Sequence, residues 1–526
     1  MKKHLIKRSI ALILAILCLC VMCVSCIEED VFLDDDSSLN DKLGGGKDKN
    51  NNNKNELRGE ETGIGWETDV VDTMRPDIDD SESHDPSLDL PTYDFGCKEI
   101  RTLTYDSVLL PEFGFGEIGD DILDRELYYR DIKVEERLNV HLVYEVHGSA
   151  NDYNSFIAHV DNIYAVDLIG EYDIINSYSV VAPVLALRGY FLDMSKIAGF
   201  EGPYWNDDLT DLFTVNDKLY YTAPMTSPNL IGSLNAVFFD IPTLENNKIS
   251  VDDLYRNVFD GTWTYEKMYS IAADLYTDTN CDGTVGNDDL IGVRLRSIAE
   301  LDSFYLGADL KIVDKGSDGL LRISPDADSE RMFDVFDLVQ RMMFGNSIMG
   351  NPNEIKGNPN GNFGFYVSSI AAARPLYMNR GFDEVGVLPF PKYDDCMDGY
   401  RSPMGVTYCL YSVPTFASEP EIGCIVIQSL AEDAYTTVPT ALMEYVTMDN
   451  ISAPELKDKA QIFELILKGV TNDELSINSK TFSSTASMFR NALLKDESWA
   501  STFAQYKDAL GSYIKKFNIT MTSLDN

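Results

Sequence analysis

The residues with the most chemistry in their spacing run from Asp278 to Asp289, Asp-Thr-Asn-Cys-Asp-Gly-Thr-Val-Gly-Asn-Asp-Asp. Asp278, Asn280, Asp282 and Asp289 place oxygen ligands at loop positions 1, 3, 5 and 12, and Gly283 supplies the turn at position 6. Thr284 would lend its backbone carbonyl at position 7, and apolar Val285 would anchor the loop at position 8. Hard oxygen donors at these intervals select calcium. Position 12 is Asp where a bidentate Glu is usual. A helix runs in from Tyr265, but Leu290-Ile291-Gly292 leads to a strand, so this loop has no partner hand to open. Its expected role is structural. A surface turn rich in Asp and Gly is the plainer reading of the same residues.

Other candidate chemistry is thinner. Gly114-Phe-Gly116-Glu-Ile-Gly119 matches the dinucleotide string GxGxxG, but Pro111-Glu112 separates it from the preceding strand, which leaves a Gly-rich loop. The five histidines, at positions 4, 84, 141, 147 and 159, include no HExxH pair. No GxSxG elbow occurs. Carboxylate pairs are too common in so acidic a chain to single out a glycosidase. No catalytic constellation emerges.

The elements that must position any site begin after a long lead-in. A basic head (Lys2, Lys3, Lys7, Arg8) precedes an apolar run from Ile10 to Val24, shorter than the roughly 20 residues a membrane span needs. Ser25-Cys26 follows, then acid, and this resembles a bacterial lipoprotein signal at residues 1–25. That resemblance implies lipidation of Cys26, although Cys23 stands where the family usually has Leu. Residues 26–96 carry Gly44-Gly45-Gly46, the Asn50–Asn53 run and scattered acids, and read as a flexible acidic tether. Lysine and arginine total 43 against 86 acids, a net charge of −43. Such a surface repels phosphate backbones, so nucleic acid is not an expected partner. Beyond Cys26, five cysteines without tight spacing do not outline a disulfide framework.

From Cys97 onward, apolar alternation and helical spacing take turns. Arg101–Val108, Val140–Val146, Tyr172–Tyr178, Ala236–Asp240 and Glu384–Leu388 read as strands. Leu123, Leu127, Val134 and Leu138 share one helix face over 121–138. Alternation of this kind predicts an α/β fold with largely parallel sheets. The C-terminal part reads as helical, with Trp499, Phe503, Tyr506, Leu510 and Ile514 in one core-packing stripe. Trp263 and Trp499 read as core.

Several segments together resemble the extracellular solute-binding proteins of ABC importers, in the carbohydrate class that includes maltose-binding proteins. They are Tyr128–Val140, Pro203-Tyr-Trp-Asn206, Asn216–Tyr221, Asn235–Asp240, Gly261–Met268 and Val385–Lys392, in that order. The resemblance implies a two-lobed periplasmic-binding-protein-like fold of type II. Lobe one would span 97–230 and return over 403–450, and lobe two would span 231–402, with 451–526 a helical part mainly on lobe two. The chain would cross near Met225–Asn235, Arg401–Tyr408 and Val446–Lys468. It also implies a monomeric, membrane-tethered receptor outside the cell that delivers a sugar or oligosaccharide to a permease.

Sugar sites pair aromatic faces with planar hydrogen-bonding groups. On that basis Tyr178, Ser179, Tyr204 and Trp205 are the expected cleft residues of lobe one, and Tyr366, Ser368 and Arg374 those of lobe two. Two other readings stay open: an envelope scaffold using its calcium loop for protein contacts, and a secreted glycoside hydrolase.

Overall fold

Lys98–Asp106 (β1) buries side chains on both faces, as a central strand must. The chain returns through a helix, α1 (Ile122–Leu138), opened by the Asp121 carboxylate accepting from the Asp124 amide at 2.9 Å. Asn139, at φ 48°, stops that helix in the left-handed conformation and turns the chain into β2 (Val140–Ser149). Then follow α2 (Tyr153–Ala165), β3 (Ile174–Tyr178) and the short α3 (Ala182–Leu187). The computed structural model describes residues 92–107, 109–116, 118–166, 170–283, 285–345, 348–349, 361–448 and 457–524. Cys26, the leader, nearly all of the tether and Thr284 lie outside the described residues.

Two four-stranded sheets organise the rest. The second is built from β4 (Asn235–Asp240), β5 (Ile291–Leu295), β6 (Phe363–Ser369) and β7 (Val385–Leu388), in the order β7-β4-β6-β5. After it, β8 (Cys409–Ser412) goes back to the first sheet and lies antiparallel beside β3, completing the order β8-β3-β1-β2. β1 is parallel to both β2 and β3. The second sheet is less parallel than its sequence pattern predicts. β4 runs antiparallel to β6 and β7, and only β5 and β6 are parallel. The reason is entry: β4 leaves the crossing from the first sheet, whereas β6 runs back and brings Ser369 opposite Asn235.

The passages between the sheets are themselves paired. Thr222 and Tyr411 exchange backbone hydrogen bonds at 3.0 and 2.8 Å, and Gly405 donates to the Ser233 carbonyl at 2.8 Å. Ser402–Pro403 lies parallel to Val470–Thr471. Of the third expected crossing, residues 449–456 lie outside the described residues.

The core is aromatic, and two of its indoles find backbone acceptors. The Trp263 indole donates to the Pro389 carbonyl and that of Trp499 to Ala327, both at 2.9 Å. Asp473, fully buried, joins the C-terminal part to the second lobe. Its carboxylate accepts from Ser476 N at 2.9 Å, capping a short helix, and from Ile312 N at 3.1 Å. Burial pushes its carboxyl up to about 6, against the pull of those two amides. A proton therefore binds the folded state more tightly than the unfolded chain. The stability from this group is complete below the unfolded value of 3.8 and is lost as pH rises through about 6. Asp473→Asn keeps a cap without the charge. Its melting temperature, measured against the parent, should rise as pH goes from about 5 to 7.5; a constant difference would contradict a raised Asp473.

Candidate functional site

In an α/β sheet, ligands bind outside the carboxyl ends of strands where the strand order reverses. β2 and β3 leave opposite sides of β1, so that point in the first sheet lies between Asp106 and Tyr178. In the second sheet, β5 and β6 end at Leu295 and Ser369, the latter beside the crossing residue Asn235. Both sheets therefore aim strand ends at the crossings, and the strand-end rule puts the candidate cleft between them.

Its first wall is aromatic. Tyr178 is half-buried, with its ring 5.7 Å from that of Tyr105 and stacked at 6.4 Å on Tyr153, the first residue of α2. Facing these rings is a short helix of the C-terminal part, Ser479–Phe482, which packs against α3. Its Lys480 sets Nζ 4.0 Å from the Tyr153 ring centroid and donates to Asn154 Oδ1 at 3.2 Å. The residues just beyond are held to the second lobe, through the Arg490–Asp302 ion pair and the Phe489–Tyr305 ring contact at 5.0 Å. Ser483, between these anchors, is exposed and has φ 52°, a strained value for a residue with a Cβ. On the second lobe, Ser297 begins a capped turn after β5, and Arg296 pairs with Glu300 at 2.9 Å.

The residues expected from sequence divide sharply. Tyr178 stands at the end of β3, half-buried beside Tyr105 and Tyr153. Ser179 is buried beneath it, its amide donating to the Tyr408 carbonyl at 2.9 Å and its hydroxyl to that of Val406, so it fastens β3 to the returning crossing. Tyr204 and Trp205 belong to lobe-one packing: the Trp205 indole donates to Gln428 Oε1 at 2.8 Å, and Gln428 Nε2 donates to the Tyr204 hydroxyl at 2.9 Å. Tyr366 and Ser368 lie inside β6, 1 % and 0 % exposed, because the strand continues to Ser369 before the edge is reached. Arg374 is drawn to Tyr445, donating to its carbonyl at 3.1 Å with the guanidinium 4.1 Å from its ring. Tyr153, Asn154 and Lys480 escape a sequence reading, since Lys480 arrives from 326 positions beyond Asn154.

A second hollow, of about 590 Å³, lies where Asp208–Leu212, Val313–Lys315 and Gly469–Glu474 meet. Its charges largely answer one another: Lys315 with Glu474 at 2.9 Å and Arg401 with Asp309 at 3.1 Å. Its lining carries no aromatic face.

The Asp278–Asp289 loop is closed at its base by a reciprocal bridge of Thr277 and Leu290, both bonds 3.1 Å. Asp278 accepts from the amides of Asp282 and Gly283 at 3.2 and 2.8 Å. Gly283 sits at φ 77°, as the turn position requires. Asn280 Nδ2 donates to Asp282 Oδ2 at 3.0 Å, which brings these two side chains together. Asp289 is fully buried, accepting from Thr279 N at 2.9 Å and Gly286 N at 2.8 Å. Among the described residues no three acidic, His or Cys side chains gather as a metal site, and the Asp278 and Asp289 carboxylates are engaged by backbone amides. The Gly114–Gly119 string does not fit a phosphate: the Gly114 amide donates to Asp131 at 2.8 Å, and a Cβ there would lie 2.6 Å from the Tyr128 backbone.

No protein-family model and no curated protein sequence matches the chain. Solved structures do. The sugar-binding protein MalE from the phytopathogen Xanthomonas citri superposes with a TM-score of 0.54 at 12% identity, covering 81% of this chain and all of its own, 100%. The cyclic α-maltosyl-1,6-maltose binding protein from Arthrobacter globiformis gives 0.53 at 12%, over 80% and 100%. The galacto-N-biose/lacto-N-biose I-binding protein of the ABC transporter from Bifidobacterium longum gives 0.52 at 12%, over 82% and 99%. The fold is that of a two-lobed solute-binding protein.

Proposed function

We propose that the protein is a lipid-anchored receptor on the outer face of the cytoplasmic membrane that captures a sugar or oligosaccharide between its lobes and delivers it to an ABC permease. One observation carries this reading: the Tyr153 and Tyr178 rings stand at the point where both sheets direct their strand ends. Aromatic faces accept the C–H side of a sugar ring, while Asn154 and the tyrosine hydroxyls supply polar contacts at the rim. The resemblance to sugar-binding proteins supports it. Closure about the paired crossings would then report occupancy to the permease, because ligand shifts the population from open to closed. The receptor does no chemistry on its ligand and works as a monomer. No described helix is long and apolar enough to cross a membrane. Attachment falls to Cys26, and calcium held by Asp278, Asn280, Asp282, Asp289 and the Thr284 carbonyl stiffens lobe two.

A thermal-shift screen of the full chain against sugars, peptides and polyamines tests the ligand class. One sugar class should raise the melting temperature by several degrees, and Tyr178→Ala should weaken that sugar by about tenfold or more, the scale of one well-placed aromatic contact. A flat response to all sugars, together with release of reducing sugar, would favour the hydrolase instead.

Native mass spectrometry of the protein taken from a Gram-positive membrane tests anchor and metal together. The expected species begins at a lipidated Cys26 and holds one calcium ion, and Asp278→Ala with Asp282→Ala loses the ion alone. A retained leader would refute the anchor, and a metal-free parent would refute the loop.

A further inference from the structure

The chain has 43 basic side chains and 86 acidic ones, so its cations have carboxylates in abundance. Most of those near the lobes' junction use them: Arg188 pairs with Asp161, Arg296 with Glu300, Arg490 with Asp302. Lys480 does not. No carboxylate of a described residue lies within ion-pair distance of its ammonium, whose contacts are the face of Tyr153 and the neutral amide oxygen of Asn154. The group is half-buried, and both that burial and the charge of nearby Arg188 hold its ammonium below the ordinary lysine value. A partly desolvated cation without a counter-ion is unfavourable until an anion joins it. Here the ammonium stands beside the two stacked rings, at the strand ends where the ligand is proposed to sit.

We infer that the captured ligand is an anionic saccharide, whose charged group pairs with Lys480 while a sugar ring lies against Tyr153 and Tyr178. This rests on the proposed sugar-binding role and names the class of sugar. The protein's net charge of −43 would repel an anion at a distance, so selectivity must come from this local cation and not from the overall field. A uronate carboxylate and a sulfate ester would satisfy a single ammonium equally well.

Isothermal titration of the full chain decides the matter, using disaccharides bearing glucuronate, galacturonate or a sulfate ester, each beside its neutral counterpart. The parent should prefer one acidic member over its neutral counterpart by about thirtyfold, within the range for truncating a buried charge pair. Lys480→Arg should retain the preference, and Lys480→Gln should reduce it to about threefold or less. Whether carboxylate or sulfate members bind identifies the anion. Equal affinity for acidic and neutral sugars in the parent would overturn the inference and leave the sugar reading intact. So would a Lys480→Gln protein that loses both alike, which would make Lys480 a clasp between the lobes. Binding of no saccharide at all would overturn both.

Discussion

The segments that pass between the two sheets are hydrogen-bonded to one another, and that shared ladder sets where every other group can stand. Thr222 with Tyr411, Ser233 with Gly405, and Met404 with Thr471 are backbone pairs joining stretches far apart in the chain. Glu112 fastens this ladder to the first sheet. Its carboxylate is buried and accepts from the Tyr411 hydroxyl at 2.6 Å, Asn229 Nδ2 at 2.9 Å and Ser227 Oγ at 3.0 Å. Burial pushes its carboxyl up, and the bonds from Tyr411 and Asn229 draw it back. A buried acid with that many donors fixes the loop after β1 against both crossings.

From that constraint follows a division between polar groups that hold the frame and those left to meet a ligand. Gln428 engages both Trp205 and Tyr204, and Ser179 clasps the returning crossing, so these side chains stabilise lobe one. The hollow beside the ladder is likewise occupied by its own ion pairs. At the crevice the balance differs. Tyr178 is half-buried, and Lys480 faces a ring and an amide instead of an acid.

Much of the frame was legible in sequence because period and caps are local. Leu123, Leu127, Val134 and Leu138 form the buried face of α1, and Thr264 caps the helix that precedes the metal-like loop. Tyr178 was legible as a strand end, which is where the chain puts it. Strand length misdirects the choice of Tyr366 and Ser368, since neither residue type reveals that β6 extends to Ser369. Trp205 has the composition of a sugar-stacking residue, yet its indole N–H is claimed by Gln428, and no local pattern announces a partner 223 positions away. Lys480 is invisible for the same reason. Its meaning depends on Tyr153 and Asn154, which only the closed fold brings near.

A crystal structure of the full chain with a bound oligosaccharide tests the account most directly. It should show a sugar ring against Tyr178 and Tyr153, with Ser479–Phe482 closing over it from the other side. A sugar seated instead in the hollow among Leu212, Val313 and Asn472, or on an outer face of either lobe, would contradict it.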